Sequence, residues 1–529
     1  MKKTEVDLLV KDATVYTVDD AFSVVEAFVV NDGRIQDTGS TAEMEKKYTA
    51  QQVLSLDGKF VYPGWNDAHC HFIGYGISLN QVDLAGTGSV EEIIDRCREF
   101  AAIHTGTWIT GRGWDQNDWE DASFPDKSLL DTFFPDTPVL LKRIDGHAAW
   151  VNSRALELAG VHGNIAIEGG DVLMKNGAPG GILIDNAITL VERVIPKPGK
   201  AELVSGILKA QEHCFAVGLT SVSDAGLSTQ EVQLIDSLQQ QGSLKMRINA
   251  WLEPSEENFK TYIEKGVQQN DQLTISTLKL YADGALGSRG ARMLEPYADD
   301  PGNKGLFVNA PAQLEEFCRR ALENGYQVAT HCIGDAANRK MLEIYSALLE
   351  KGNDRRWRIE HAQIIHPVDF NLFGDYHIVP SVQTTHATSD MYWAEDRLGG
   401  ARMEGAYAYK TLLDQLGWIP NGSDFPVESI NPLYGFYAAV ARKDHSGYPE
   451  GGFLNDEALS REEALRAMTS WAAKAAFEET FKGSIEKGKL ADFVVTEQDI
   501  MTMNEAGISS ADVLMTWSGG EKVYGKSGD

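Results

Sequence analysis

Cysteine is scarce and scattered. Five occur in 529 residues, at positions 70, 97, 214, 318 and 332. None has Cys-x-x-Cys spacing, so there is neither a disulfide framework nor a thiolate metal site, and a reducing compartment fits. Basic residues are in deficit as well: 48 Lys and Arg face 77 Asp and Glu, a net charge of −29. Such a surface repels phosphate, which argues against nucleic acid or an anionic membrane as a partner. No apolar run approaches the roughly 20 residues a membrane-spanning helix needs. Met1-Lys2-Lys3 leads into Thr-Glu-Val-Asp rather than the apolar core of a secretory leader. A cytoplasmic protein acting on a small molecule is expected, with self-association left open. There is no short internal repeat and no low-complexity tract.

Histidine is also sparse, twelve in all, yet two fall together in Val-Tyr-Pro-Gly-Trp-Asn-Asp-Ala-His-Cys-His-Phe over 61–72. Successive strand residues face opposite sides, so His69 and His71 share one side and Cys70 takes the other. At the mouth of a barrel such a pair can hold a divalent metal, whereas on a surface strand it does nothing.

The chain around this stretch reads as two kinds of domain. Short strands over 7–10, 14–16, 23–31 and 53–57, with a hairpin at Asn31-Asp32-Gly33-Arg34, match further strands at 490–496, 513–517 and 521–524. A small β-sandwich built from both termini, 1–60 and 482–529, is expected. Within 61–481, strand patterns at 60–71, 219–224, 245–252, 277–283, 327–331, 358–362, 378–383 and 419–423 alternate with helical patterns such as 311–323, 335–350 and 405–416, with a last helix over 461–478. Eight such strands are the count of an α/β (β/α)8 TIM barrel. Residues 86–181, irregular and rich in aromatics, with a glycine-rich loop at 169–181, read as a lid inserted after the first barrel strand.

Barrel active sites gather at the carboxyl ends of the strands. His331 ends one strand in Thr-His-Cys-Ile-Gly-Asp, His361 ends the next in Arg-Ile-Glu-His-Ala, and Asp424 follows the eighth in Gly-Ser-Asp-Phe-Pro. The histidines can instead be core residues, and Asp424 a helix cap. Lys279 lies inside Leu-Lys-Leu-Tyr-Ala-Asp-Gly, on one strand face with Tyr281 and Asp283. A lysine buried there is costly unless modified, paired or neutral. Carboxylated on its amine, it becomes an anion able to bridge two metals; as a free amine, it suits an aldolase Schiff base.

The wording of these motifs resembles the amidohydrolase superfamily, in its amidohydrolase family 3 branch, which includes N-substituted formamide deformylases and proteins labelled exoenzyme regulators. The resemblance rests on PGWNDAHCHF, DGHAAWVNSRAL, LKLYADGALGSRGA, THCIGDAA, RIEHAQ, SVQTTHATSDMYWAEDRLG, GSDFPVESINPL and GSIEKGKLADFVV. It implies a TIM-barrel hydrolase in which His69, His71 and Asp424 hold one metal, His331 and His361 a second, and carboxylated Lys279 bridges them. Two zinc ions are the expected cofactor. The reaction implied is hydrolysis of an amide-type C–N bond in an N-acyl or N-formyl amine or a cyclic amide, by a metal-bridging hydroxide with Asp424 as proton shuttle. A single-metal deaminase and a catalytically silent binding or regulatory protein are the alternatives. Deaminases usually place a glutamate shortly after the fifth-strand histidine, where Cys332-Ile-Gly-Asp335 offers none.

Four further residues are expected at the substrate: His147 in Asp-Gly-His-Ala-Ala-Trp, Trp114 beside Asp115, and Gln383 and His386 after the seventh strand. Relatives usually read Gln-Pro at that last place, where this chain has Thr384. No motif surrounds His104, His162, His213 or His445, and none is assigned a role.

Overall fold

The structure, a computed structural model, describes residues 3–103, 106–163 and 165–526. Its centre is a parallel barrel of β1 (Trp65–Cys70), β2 (Leu219–Leu227), β3 (Arg247–Leu252), β4 (Leu273–Tyr281), β5 (Gln327–Cys332), β6 (Arg358–His361) and β7 (Val379–Ser381), paired in that order. Nearly every residue in these strands is buried, as befits parallel strands with helices outside and packed side chains inside. The eighth place is filled by residues 419–425, which run extended but form only one ladder bridge, Val382 with Asn421. Pro420 has no N–H to donate, so on that side the seam is closed by Val382 N–H to Pro420 O at 3.1 Å and Gly422 N–H to Val382 O at 3.0 Å. On the other side Asp424 N–H donates to His69 O and His71 N–H to Phe425 O, each at 2.8 Å. A Cβ on Gly422 would sit 2.5 Å from the His69 nitrogen, so only glycine allows this approach. The result is a (β/α)8 barrel. The helix expected over 311–323 is present as Pro311–Glu323, opened by a proline in its first turn. That expected over 405–416 is shortened to Tyr409–Leu416, and that over 461–478 is broken into Arg461–Ala467 and Ser470–Ala475.

The strand expected over 60–71 divides at Gly64. Phe60–Pro63 leaves the barrel and pairs with Phe493–Thr496 in an outer sheet. A side chain at Gly64 would meet Thr220 Oγ1 at 2.3 Å, so the chain turns there on a residue without one. The outer sheet has six strands, in the order Glu521–Gly525, Val513–Ser518, Phe493–Thr496, Phe60–Pro63, Thr14–Tyr16, Val24–Val25. It faces a four-stranded sheet of Arg34–Gly39, Ala27–Asn31, Thr4–Lys11 and Tyr48–Ser55. Val10, Phe28, Val61, Phe493 and Trp517 fill the space between, with Phe28 edge-on to Phe493 at 5.1 Å. Helix Thr41–Lys47, unforeseen, carries its own signal: Ser40 and Glu43 form a capping box. Arg247 on β3 clamps this domain to the barrel through both oxygens of buried Asp492, at 2.6 and 2.8 Å.

The insert after β1 is a folded sheet, not an irregular stretch of chain. Six strands from Val82–Asp83 to Ala178–Asp185 form one mixed sheet, and the glycine-rich stretch 169–181 is its edge hairpin, Gly170–Lys175 with Ala178–Asp185. Alternation along the strands serves two cores: Leu141 and Trp150 point to one face with Trp114 and helix Val90–Ile103, and Leu140, Ala149 and Val151 to the other.

Candidate metal centre

The barrel strands bring His69, His71, Lys279, His331, His361 and Asp424 to one rim. His69 and Asp424 are side by side because Asp67, two residues before His69, accepts Ser423 Oγ–H at 2.6 Å and the Ser423 and His69 N–H groups. His71 sits where β1 turns into helix Phe72–Ser78. That turn is pinned by Asp224, which accepts from the Phe72 and Ile73 N–H groups at 2.9 and 3.2 Å. Burial pushes the Asp67 carboxyl up to about 7 and that of Asp224 to about 8.

Each of the four imidazoles spends one nitrogen on a protein acceptor. His69 Nδ1 meets Glu360 Oε2 at 2.6 Å, His71 Nδ1 the Ala225 carbonyl at 3.2 Å, His361 Nδ1 the Gln383 Oε1 at 2.6 Å, and His331 Nε2 the Gly284 carbonyl at 3.3 Å. Carboxylates and carbonyls only accept, so those nitrogens carry the hydrogen. The opposite nitrogens, Nε2 of His69, His71 and His361 and Nδ1 of His331, keep their lone pairs. Burial lowers His69 to about 4 and His331 and His361 well below the usual histidine range, so all three are neutral. Neutral imidazole with its second nitrogen anchored is the form that binds metals.

Asp424 completes one set. Its ligand atom and those of His69 and His71 lie within 4.8 Å of one another. Asp424 Oδ1 is 3.2 Å from His71 Nε2 and 3.5 Å from His69 Nε2, and it is buried without a hydrogen-bond donor. An orphaned anionic oxygen facing two free imidazole lone pairs fits a divalent cation. Lys279, 1 % exposed, brings Nζ to 3.3 Å from His69 Nε2 and over the Tyr281 ring. Burial lowers its pKa to about 8, so a neutral amine is within reach near pH 7. The His331 and His361 rings lie 4.5 Å apart, and His361 is 5.1 Å from His69.

Above this floor is a cavity of about 410 Å3, walled on one side by Asp115, Asp145 and His147 of the insert and on the other by barrel loops. His147 lies against His331 at 4.9 Å, and its Nδ1 pairs with Asp185 at 2.5 Å. Burial pulls its pKa down, but Asp185 outweighs this and raises it. His386 lines the cavity. Two other expectations are corrected. Trp114 is 0 % exposed, packed in the insert core with its indole N–H on the Leu141 carbonyl, because its strand turns it away from the cavity. Gln383, buried at the end of the seventh strand, orients His361 and does not line the cavity. Thr384 N–H donates to Asn421 Oδ1 at 3.1 Å, a bond that proline could not make. His104 lies outside the described residues; His213 pairs with the Tyr75 hydroxyl and His445 packs tilted against Tyr434.

Glu360 was missed, though it stands beside His361. Arg358 donates to it at 2.6 Å and also reaches Ala68 O and Ser381 Oγ, tying β1, β6 and β7 together under the site. Burial alone would push Glu360 up, but Arg358 and His69 hold it at about 2. Asp67 was legible in principle, since it shares the period-2 row with His69 and His71.

The amidohydrolase family model matches residues 52–524. The protein LONG AFTER FAR-RED 3 of Arabidopsis thaliana is 35 % identical over 98 % of this chain and 91 % of its own. An N-substituted formamide deformylase of Arthrobacter pascens is 26 % identical over 99 % of each chain. The solved structure of an uncharacterized metal-dependent hydrolase from Pyrococcus horikoshii matches 94 % of this chain and 99 % of its own, with a TM-score of 0.77 and 27 % identity. The family match takes in the barrel, the insert and the C-terminal strands alike, and the chain belongs to the amidohydrolase family.

Proposed function

We propose that this chain hydrolyses a non-peptide amide-type C–N bond in a small molecule: an N-acyl or N-formyl amine, or a cyclic amide. The observation that carries the reading is the set of four anchored imidazoles turning their free nitrogens toward one rim, beside the unpartnered oxygen of Asp424. His69, His71 and Asp424 would hold one divalent ion, the imidazole and carboxylate donors suiting zinc, and His331 and His361 a second, with carboxylated Lys279 between them. When bound, the ions supply Lewis acidity and a water acidified toward neutrality.

The residues of the chain do the rest. Asp424 is placed to take a proton from the attacking water and pass it to the departing nitrogen, which is a very poor leaving group unless protonated. His147, against His331 in the cavity wall, is placed to face the substrate carbonyl. A cavity of about 410 Å3 suits a small molecule. The relative named for deformylating N-substituted formamides supports trying formamides first.

The test is Asp424→Asn in protein loaded with zinc in the presence of bicarbonate. Amide hydrolysis should fall by about 10²–10⁴-fold, and hydrolysis of an ester with a good leaving group by less. Equal losses on both substrates, or none, would overturn the assignment of the proton carrier.

A further inference from the structure

The cavity wall carries charge for which the hydrolytic chemistry has no use. Asp118, Asp390 and Glu428 line the same cavity as His331, His361 and Asp424. Asp390 accepts from neutral donors, Gln363 Nε2 at 2.9 Å and the Tyr407 hydroxyl at 2.8 Å, and Glu428 accepts from Ser389 Oγ at 2.7 Å. Among the described residues, none of the three carboxylates pairs with a lysine or arginine. Arg143, the basic residue in the lining, is already taken by Asp115, Asp145 and Gln116. Burial outweighs the basic groups nearby, raising Asp118 to about 6 and Asp390 to about 7, and pushes Glu428 up as well.

A separate observation marks the same corner. His386 is 9 % exposed and lines the cavity, yet its Nε2 has no hydrogen-bond partner. It lies 4.0 Å from Asp424 Oδ2, and Asp390 and Glu428 are both within electrostatic reach of it. A third metal ion does not fit here: among the described residues, these carboxylates and His386 belong to no group of three or more metal-type donors close enough to share an ion. An organic cation does, because its N–H groups can reach carboxylates set farther apart than metal ligands.

We propose that the substrate carries an ammonium group, seated against Asp390 and Glu428 with Asp118 nearby and an N–H directed at His386 Nε2. The proposal rests on the hydrolase reading above and narrows it to N-acyl or N-formyl derivatives of diamines and other amines bearing a second, positively charged nitrogen. The net charge of −29 would draw such a molecule in from solution.

The test compares three N-formyl compounds of equal chain length, ending in an ammonium, a methyl and a carboxylate group. Binding is measured by calorimetry and hydrolysis by kcat/KM, both on the full zinc-loaded chain. The ammonium compound should bind on the order of tenfold tighter than the methyl compound, with the carboxylate weakest. In Glu428→Gln, and separately in Asp390→Asn, the ammonium-to-methyl ratio should fall on the order of tenfold. Equal affinities, or a preference for the carboxylate, would overturn the cation site even if all three compounds are hydrolysed. Tight, selective binding of the ammonium compound without hydrolysis of any would leave the cation site standing and remove the hydrolase reading.

Discussion

Replacing Glu360 by glutamine changes one oxygen to an amide nitrogen and should cost the protein in two ways. Glu360 accepts from His69 Nδ1 through one oxygen and from Arg358 Nε through the other, both at 2.6 Å and all three side chains buried. Glutamine can accept at only one of those places; at the other its NH2 faces a second donor. If it turns its nitrogen to His69, the ring loses its anchor. Removing the partner of a metal-binding histidine costs about 10–100-fold in metal affinity. If it turns its nitrogen to Arg358, a buried guanidinium loses its carboxylate, at a cost of about 3–5 kcal/mol of stability. Competition with a chromophoric chelator reads the zinc affinity, and urea unfolding reads the stability. The acid limb gives a further check. Glu360 is held at about 2 against an ordinary 4.5, so its stabilisation is complete above pH 4.5 and is lost as pH falls toward 2. Glu360→Gln should therefore flatten the loss of stability in acid. A variant with the parent's zinc affinity, unfolding midpoint and acid limb would refute the account.

Asp492→Ala should strand Arg247 without its carboxylate between sandwich and barrel. We expect a loss of about 3–5 kcal/mol in chemical unfolding with metal content unchanged, and a loss under about 1 kcal/mol would count against a structural clamp. Asp224 holds its proton in the folded state up to about pH 8, against an ordinary 3.8, so its folded form loses ground as pH rises between those values. The stability cost of Asp224→Asn should accordingly shrink from acid to mildly alkaline pH in a series of thermal melts; a cost that grows with pH would show that Asp224 is folded as the carboxylate.

The rim residues were legible because each stands at a strand end, where a one-residue alternation decides which side chains point inward. His331 and His361 stand at the ends of the short strands Gln327–Cys332 and Arg358–His361, and Asp424 precedes a proline that ends its segment. What alternation cannot show is which strand lies beside which. The apolar run through Gly64 looks continuous, yet its first four residues pair with a segment near the other end of the chain. The insert looked irregular because its strands are short and buried on both faces, which removes the polar half of the alternation. Trp114 illustrates the limit: beside Asp115, which does line the cavity, it faces the opposite way. Asp118 and Asp390 end two short helices and Glu428 lies in a loop, and no local pattern announces that they line one cavity.

The pairing of the two ends sets an order of events on the ribosome. Tyr62 donates to Asp499 across 437 residues of chain, and the strand that holds Tyr62 waits as long for its neighbour. At roughly 5–20 residues per second, that edge stays open for about 20–90 s after it emerges. The barrel seam waits nearly as long, since residues 419–425 must arrive before β1 is covered on both sides. An unpaired edge is a template for another chain. The nascent protein is therefore most exposed to aggregation while it is being made, and safest once its last fifty residues have folded back onto its first sixty.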